Sequence, residues 1–388
     1  MSKSEFDLLS KKIVKVYGVP VDFDYIEIKK NDYETDLMDS FIHSKSPDIF
    51  LINNEQLGEF KKLISPFDLN QKNYNINNLD KDFPTIIKEQ AVFNNELYML
   101  PITIDSLALY YNRNTFDSLS IPNPPKTWSE VLSLVPKLRQ LDSYNRITRS
   151  PIGMGLGTSI NNSSDILALL IMQLNGEIID SEGQSVKLNN RVNVDGSYIN
   201  PGEEALKFYT QFSQSNNQYY SWNASFGNDL ESFANNKLSL YIGYYEDKDL
   251  ILDKNPNLNF GLSEMPQRDA NNNVNFGKFT GFTVSSQTKN KDIAWGAVQL
   301  LTSSQNIQEF IEYFNIPPST RDLISNYYND TDLGVFAKQA LSSKSFYHPD
   351  KKQTKKIFRE AIDQLSLDKN YRNALDKMSK DLTNLIHN

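Results

Sequence analysis

Cysteine is absent from all 388 residues, which removes disulfides, thiolate nucleophiles, iron–sulfur clusters and every zinc site that needs a thiolate. Histidine is scarce. His43, His348 and His387 stand far apart with no HxxxH-like spacing, so the chain spells neither an imidazole metal site nor a Ser–His–acid triad. No run of about 18 apolar residues occurs, so no segment reads as a membrane-spanning helix. A basic excess is missing too: 40 Lys and Arg face 48 Asp and Glu, for a net charge of −8. Gripping a phosphate backbone takes a basic stripe, so nucleic acid is not an expected partner. No cofactor is expected.

What is present is length and aromatic surface. Single hydrophobic cores stop growing beyond roughly 250–300 residues, so two lobes are expected, and 39% hydrophobic residues can fill them. Aromatic residues make up 12%, with 20 Tyr and 22 Phe beside abundant Asn, a mixture that suits polar, hydroxyl-bearing ligands where it is not simply core. The start, MSKSEFDLLSKK, is polar and carries no apolar signal core, which fits either a cytoplasmic protein or a mature segment whose export signal was removed.

Along the chain, Phe6, Leu9, Ile13 and Tyr17 recur at helical spacing until Gly18 and Pro20, which predicts a helix ending at Gly18. VDFDYIEI alternates Val21, Phe23 and Tyr25 with Asp and reads as a strand. A helix from about Tyr33 to His43 then leads through Pro47 into DIFLI, an apolar run typical of a strand buried on both faces. Helix and strand alternate, as in an α/β sheet with crossovers. Thr127 and Glu130 in TWSE form a capping box for a helix carrying Trp128, Leu132, Val135 and Leu138, bent at Pro136. Asn200 caps a second helix with Pro201 at its first position and Glu203 at its third. LSLYIGYY is a strand broken at Gly243, FTGFTVSS is another, and helices follow around Trp295 and from Lys351 to the end. The Asn-rich stretches 71–78 and 189–200 read as loops or hairpin tips. With no repeat and no low-complexity linker, the chain must pass between its lobes more than once.

Few motifs carry chemistry. GMGLGT, with Gly153, Gly155 and Gly157, is neither GxGxxG nor GxxxxGK, and reads as a tight turn at a strand edge. No GxSxG elbow occurs. Asp105 with Glu246 or Asp247 could form the carboxylate pair of a glycosidase, or be solvated acids. More informative are the residues beyond the carboxyl ends of strands, where open α/β sheets bind ligands: Asn53 and Asn54, then Tyr244 and Tyr245. Amides and flat rings suit sugars, although both tyrosines could instead pack beneath the next helix.

At LPITIDSLALYYNRNTF followed by PNPPKTWSEV the sequence resembles the solute-binding proteins of bacterial ABC importers, the maltose-binding-like family 1. The resemblance continues through SPDIFLINN, GEEALKFYTQF, FANNKLSLYIGYY, LNFGLSEMPQ, FTGFTVSS, DIAWGAVQLLTS and SKSFYHPD, from about Phe6 to the C-terminus. It implies a type II periplasmic-binding-protein-like fold, two α/β lobes joined by a hinge with a ligand cleft between them. The implied crossings lie near 100–105, 262–265 and 316–320, giving lobe 1 residues 1–104 and 263–316, and lobe 2 residues 105–262 and 317–388. It further implies a non-enzymatic, monomeric receptor that passes a sugar or oligosaccharide to ABC permease subunits. The family's acidic hydroxyl acceptor matches Asp105, its polar loop matches Asn53, Asn54 and Glu55, and its stacking aromatics match Tyr245 and Phe346, with Tyr244, Trp222 and Phe282 as further candidates.

Departures accompany the likeness. Relatives open with a strand before the first helix, carry an export signal and an anchoring lipidated cysteine, and often have Trp where Thr280 stands here. The expectation is an extracellular or periplasmic protein, lipid-anchored in full length, and Thr280 in place of Trp points away from a large sugar. Two other readings stay open: a glycoside-processing enzyme on a related fold, and a degenerate scaffold that no longer binds solute.

Overall fold

A computed structural model of the chain describes residues 15–16, 18–28, 32–71, 74–269 and 273–387. The chain folds as two compact α/β units, one of Met1–Asp105 with Lys278–Leu341, the other of Ser106–Gly277 with Ser342–Asn388. The chain therefore passes from one unit to the other after Asp105, Gly277 and Leu341. Two of these passages differ from the sequence expectation. The segment expected to cross at 262–265 overlaps the strand Phe260–Ser263, an edge strand of unit two paired antiparallel with Ala108–Asn112. The segment 316–320 belongs to unit one, where Pro317 accepts a hydrogen bond from Thr103 Oγ1 (2.8 Å) and Ser319 Oγ donates to the Pro101 carbonyl.

In unit one the strand Ile49–Asn53 pairs antiparallel with Thr280 to Val284, placing Asn53 opposite Thr280. Phe50 and Ile52 point into a buried aromatic cluster where Phe50 meets Phe41 edge-on at 5.4 Å and Phe60 at 6.1 Å. Trp295, from the helix Lys291–Leu301, packs edge-on to Phe67 at 5.7 Å and donates its indole N–H to the Ser65 carbonyl (2.8 Å). The expected helix over Phe6, Leu9, Ile13 and Tyr17 lies outside the described residues, except that Lys15–Val16 forms a short strand paired with Val19–Pro20 across Gly18, which sits at φ 81°. VDFDYIEI is not a strand. Its alternation survives as burial, with Val21, Phe23 and Tyr25 half-buried and Asp22 and Asp24 exposed, because alternation encodes which side faces the protein and not whether a ladder partner exists.

Unit two is built on a five-stranded sheet in the order Phe260–Ser263, Ala108–Asn112, Leu238–Gly243, Ile147–Ile152, Gln140–Leu141. Its one parallel pairing joins Ile147–Ile152 to Leu238–Gly243, and all six residues of the latter strand are buried. The expected caps are in place: Thr127 Oγ1 accepts from Glu130 N (3.2 Å), and Asn200 Oδ1 from Glu203 N (2.9 Å). Glu130 reaches back one residue further than a capping box requires, to Lys126 N (2.6 Å). Asp195 and Gly196, both at positive φ, make the tight hairpin between Val192–Val194 and Ser197–Ile199.

Three stretches of unit two adjoining the passages lie side by side. Leu107 N donates to Phe276 O (3.0 Å) and Asn275 N to Ser342 O (3.1 Å), while Asn275 and Phe276 pair in parallel with Ser343 and Lys344. Side-chain amides brace them. Trp128 Nε1 donates to Gln173 Oε1 (2.7 Å). Gln173 Nε2 lies within 3.0–3.2 Å of Pro266 O, Val274 O and Gln267 Oε1. Gln267 Nε2 donates to Asn275 Oδ1 (3.1 Å), and Asn275 Nδ2 to Ser342 Oγ (2.8 Å). Gln173 is 4% exposed, so its partners have no water to turn to. Gln173→Leu strands the Trp128 N–H and two carbonyls and is expected to cost about 2–4 kcal/mol in urea unfolding; a loss under about 0.5 kcal/mol would contradict this role.

Candidate functional site

Four of the expected residues lie at or next to strand ends of unit one. The Ile49–Asn53 strand runs directly into the 3₁₀ turn Asn54–Gln56, and Gln56 Oε1 accepts from Asn53 N (2.9 Å) to fix that turn. Asn54 Oδ1 accepts from Phe279 N (2.9 Å), tying the turn to the neighbouring strand Asn275–Val284. Its side chain is thus a brace, a role the sequence reading did not give it. Glu55 and Asp105 are both buried, the latter at the end of the strand Leu100–Ser106, which also pairs with Asn275–Val284.

In unit two, Tyr244 and Tyr245 form the turn between the strand Leu238–Gly243 and the helix Asp247–Lys254. Asp247 Oδ2 accepts from the Tyr241 hydroxyl (2.8 Å) and from Tyr244 N (2.9 Å). Gly243 permits this approach, since a Cβ there would lie 2.4 Å from Asp247 Oδ2 and from the Tyr241 ring. Tyr244 is buried and fixed by its hydroxyl, which donates to Asp165 Oδ2 (2.7 Å). Tyr245 is buried as well, with Lys248 Nζ 5.9 Å from its ring centre. Asp247 therefore holds the turn together, which is a poor use for one of a pair of catalytic carboxylates.

Three expected site aromatics are packing residues of their own units. Trp222 is fully buried, stacked on Phe226 at 4.9 Å, with its indole N–H donating to Ser159 Oγ (3.0 Å). Phe346 stacks on His348 at 4.1 Å and on Phe358 at 5.6 Å. Phe282 pairs across the ladder with Leu51 and packs its ring 6.2 Å from Phe310. A Trp or Phe in a polar-looking motif such as YYSWN is indistinguishable from a ligand-stacking ring until its neighbours are known.

The GMGLGT loop has its polar groups spent internally. Asp363 accepts from Gly157 N (2.6 Å), Thr158 N (3.0 Å) and the Thr158 hydroxyl, so a carboxylate of the chain itself fills the amide cradle. The Tyr209 hydroxyl donates to Leu156 O (3.0 Å), Ser213 Oγ to Gly155 O (2.9 Å) and Ser163 Oγ to Gly157 O (2.7 Å). The glycines are there for close approach: a Cβ on Gly157 would meet the Arg359 carbonyl oxygen at 2.3 Å. Among the described residues no cluster of His, Asp and Glu could hold a metal ion, and no helix is long and apolar enough to cross a membrane.

What the sequence reading missed is a set of carboxylates in unit two, Asp165 and Asp229 buried and Asp363 half-buried. One signal was available. The helix Ser163–Gln173 is apolar on every side and buried throughout, so a lone Asp165 inside it required a partner.

Two α/β units threaded three times by one chain define the architecture of the type II periplasmic binding proteins. The sequence profile of the bacterial extracellular solute-binding proteins matches residues 11–308, well over half the chain, and the protein belongs to that family. A multiple sugar-binding protein of Streptococcus mutans is 21% identical over 359 residues, 89% of this chain and 79% of that one. A Brucella abortus protein named for binding alone is 24% identical over 252 residues, 63% of this chain, which spans 57% of that relative's length. The structure of the cyclic α-maltosyl-1,6-maltose binding protein of Arthrobacter globiformis matches with a TM-score of 0.77 at 15% identity, covering 99% of this chain and 95% of that one.

Asp229 supplies a pH test of the unit-two core. Burial pushes its carboxyl up to about 7; amide N–H groups of Asn161 and Leu230 pull it down, and the charge of Asp247 adds to the rise. A carboxyl raised in the fold destabilises it as pH climbs from the unfolded value near 4 to about 7, with the full penalty above. Asp229→Asn should therefore gain stability relative to the parent by about 2–4 kcal/mol between pH 4 and pH 8, read from urea melts at each pH. A difference that does not change with pH would contradict the assignment.

Proposed function

We propose that the protein is an extracytoplasmic receptor that captures a carbohydrate and delivers it to the permease of an ABC importer. Family membership supports solute capture, and the relatives named for sugars point to the solute class. The reading rests on the Tyr244–Tyr245 turn at the end of the Leu238–Gly243 strand, held by Asp247 and Asp165, which puts an aromatic residue at the kind of strand end where α/β sheets bind ligands. In unit one, Asp105 with Asn53 and Glu55 are the proposed hydroxyl-binding groups, and in unit two Tyr245 is the proposed stacking ring. Asn54, Tyr244, Trp222, Phe282 and Phe346 are assigned to support and packing.

Sugar recognition by these residue types follows from simple chemistry. Carboxylate and amide oxygens accept hydroxyl hydrogens, and such bonds strengthen when water is excluded. An aromatic face covers the apolar C–H patch of a pyranose. No bond is made or broken, so solute acts by favouring a closed state over an open one in proportion to its difference in affinity for the two.

Isothermal titration with a panel of mono- and oligosaccharides tests the reading. Saturable one-to-one heat with a sugar, and no reducing sugar released over hours, is the expected result. Binding of a peptide or polyamine with no sugar response would overturn the solute class, and steady release of reducing sugar would favour a glycosidase. Tyr245→Ala is expected to weaken sugar binding by about 1–3 kcal/mol. Unchanged affinity with a lowered melting temperature would show that the ring is core.

A further inference from the structure

Tyr244 is gripped from three directions, two of them by Tyr110 and Asp165, which the sequence did not single out. Its N–H donates to Asp247 Oδ2 (2.9 Å), its carbonyl accepts from the Tyr110 hydroxyl (2.6 Å), and its own hydroxyl donates to Asp165 Oδ2 (2.7 Å). Tyr110 and Asp165 are at most 1% exposed, so water does not compete for these bonds. Asp165 Oδ2 also receives Lys355 Nζ at 3.2 Å, and its other oxygen accepts from Ser164 Oγ (2.8 Å). Lys355 belongs to the helix Lys351–Leu367, so a C-terminal element supplies the cation that offsets a carboxylate buried in the Ser163–Gln173 helix.

We propose that Tyr110, Asp165 and Tyr244 are positioning residues for sugar recognition: together they fix the backbone of residue 244, and through it the direction in which the Tyr245 ring leaves the turn. The inference rests on the reading that Tyr245 stacks on the sugar. With the main chain at residue 244 held through its N–H, its C=O and its side chain, the ring at residue 245 loses little further freedom on binding, and an ordering cost that would otherwise oppose association is already met in the folded protein. Asp247 serves the same end by joining Tyr241, the turn and the first residue of its own helix. The sheet alone does not do this, because the ladder ends at Gly243 and the two residues after it have no strand neighbours to orient them.

The test removes single hydroxyls and leaves every ring in place. Tyr244→Phe deletes the bond to Asp165, while Lys355 and Ser164 still neutralise and solvate that carboxylate. Tyr110→Phe deletes the bond to the Tyr244 carbonyl, which keeps the N–H of Asp247 (3.1 Å). Titrations use whichever of glucose, galactose, maltose, maltotetraose and raffinose binds the parent protein most tightly, at a temperature where all variants are folded. Each variant should weaken binding by about fivefold or more, and neither should add more than about twofold in a Tyr245→Ala background, because both act through that ring.

The free protein offers an independent readout: amide exchange in the peptide containing residues 244–248 should speed up in both variants while the Leu238–Gly243 strand is unchanged. Full additivity with Tyr245→Ala, or a lowered melting temperature with parental affinity, would overturn the proposal and leave these hydroxyls a purely structural role. If Tyr245→Ala itself binds as the parent does, or no sugar in the set binds, the reading beneath the proposal fails and the proposal falls with it. If Tyr245→Ala weakens binding and the two hydroxyl deletions do not, the sugar reading stands and the positioning role alone is lost.

Discussion

Hydrogen bonds among three distant stretches of the chain are the constraint on which the rest of this structure depends. Leu107, Asn275–Phe276 and Ser342–Lys344 sit on one ladder in unit two, each adjoining a point where the chain leaves or enters that unit. The strand Asn275–Val284 serves twice, pairing by its first two residues with Ser343–Lys344 and by its last five with Ile49–Asn53. Its backbone groups are largely buried and must be paired, so the ladder it belongs to draws on stretches far apart in the sequence. Such non-local pairing is slow to form, and the amide chain from Trp128 through Gln173, Gln267 and Asn275 to Ser342 rewards it only when all its members are present.

The same economy governs the charges inside unit two. Without cysteine or a cluster able to hold a metal among the described residues, the fold is stapled by buried polar groups, and each buried carboxylate is given donors. Asp165 has a lysine and two hydroxyls, Asp247 a hydroxyl and a backbone N–H, and the half-buried Asp363 two backbone N–H groups and a hydroxyl. Asp229 is the least well served, and burial raises its carboxyl accordingly. A polar core of this kind costs stability against an apolar one but holds particular loops in particular places. Here it holds the turn that carries Tyr245.

Much of this was legible in the residues. The DIFLI run became the strand Ile49–Asn53, though only its Phe50 and Ile52 face is fully buried, Thr127 and Asn200 cap their helices, and the family motifs led to the solute-binding fold. Local rules reach these features because caps, turns and buried runs depend on neighbours a few residues away. The strand read from VDFDYIEI failed because pairing is decided by a partner elsewhere in the chain. The passage points were misplaced for a related reason: LNFGLSEMPQ and the residues around Pro317 look like connectors, but each is held inside one unit by contacts more than a hundred residues away. Among the candidate site residues, sequence could identify aromatic and polar side chains beyond strand ends. It could not show that Trp222 and Phe346 pack on Phe226, His348 and Phe358, neighbours that appear only in three dimensions.

The central claim is that this protein holds a sugar and lets it go unchanged. Equilibrium dialysis of the whole chain against a mixture of mono- and oligosaccharides, followed by denaturation and mass analysis of the retained fraction, tests it most directly. The account predicts one intact sugar recovered per chain, displaced by an excess of the same unlabelled sugar. Recovery of sugar fragments, or of no carbohydrate at all, would contradict it.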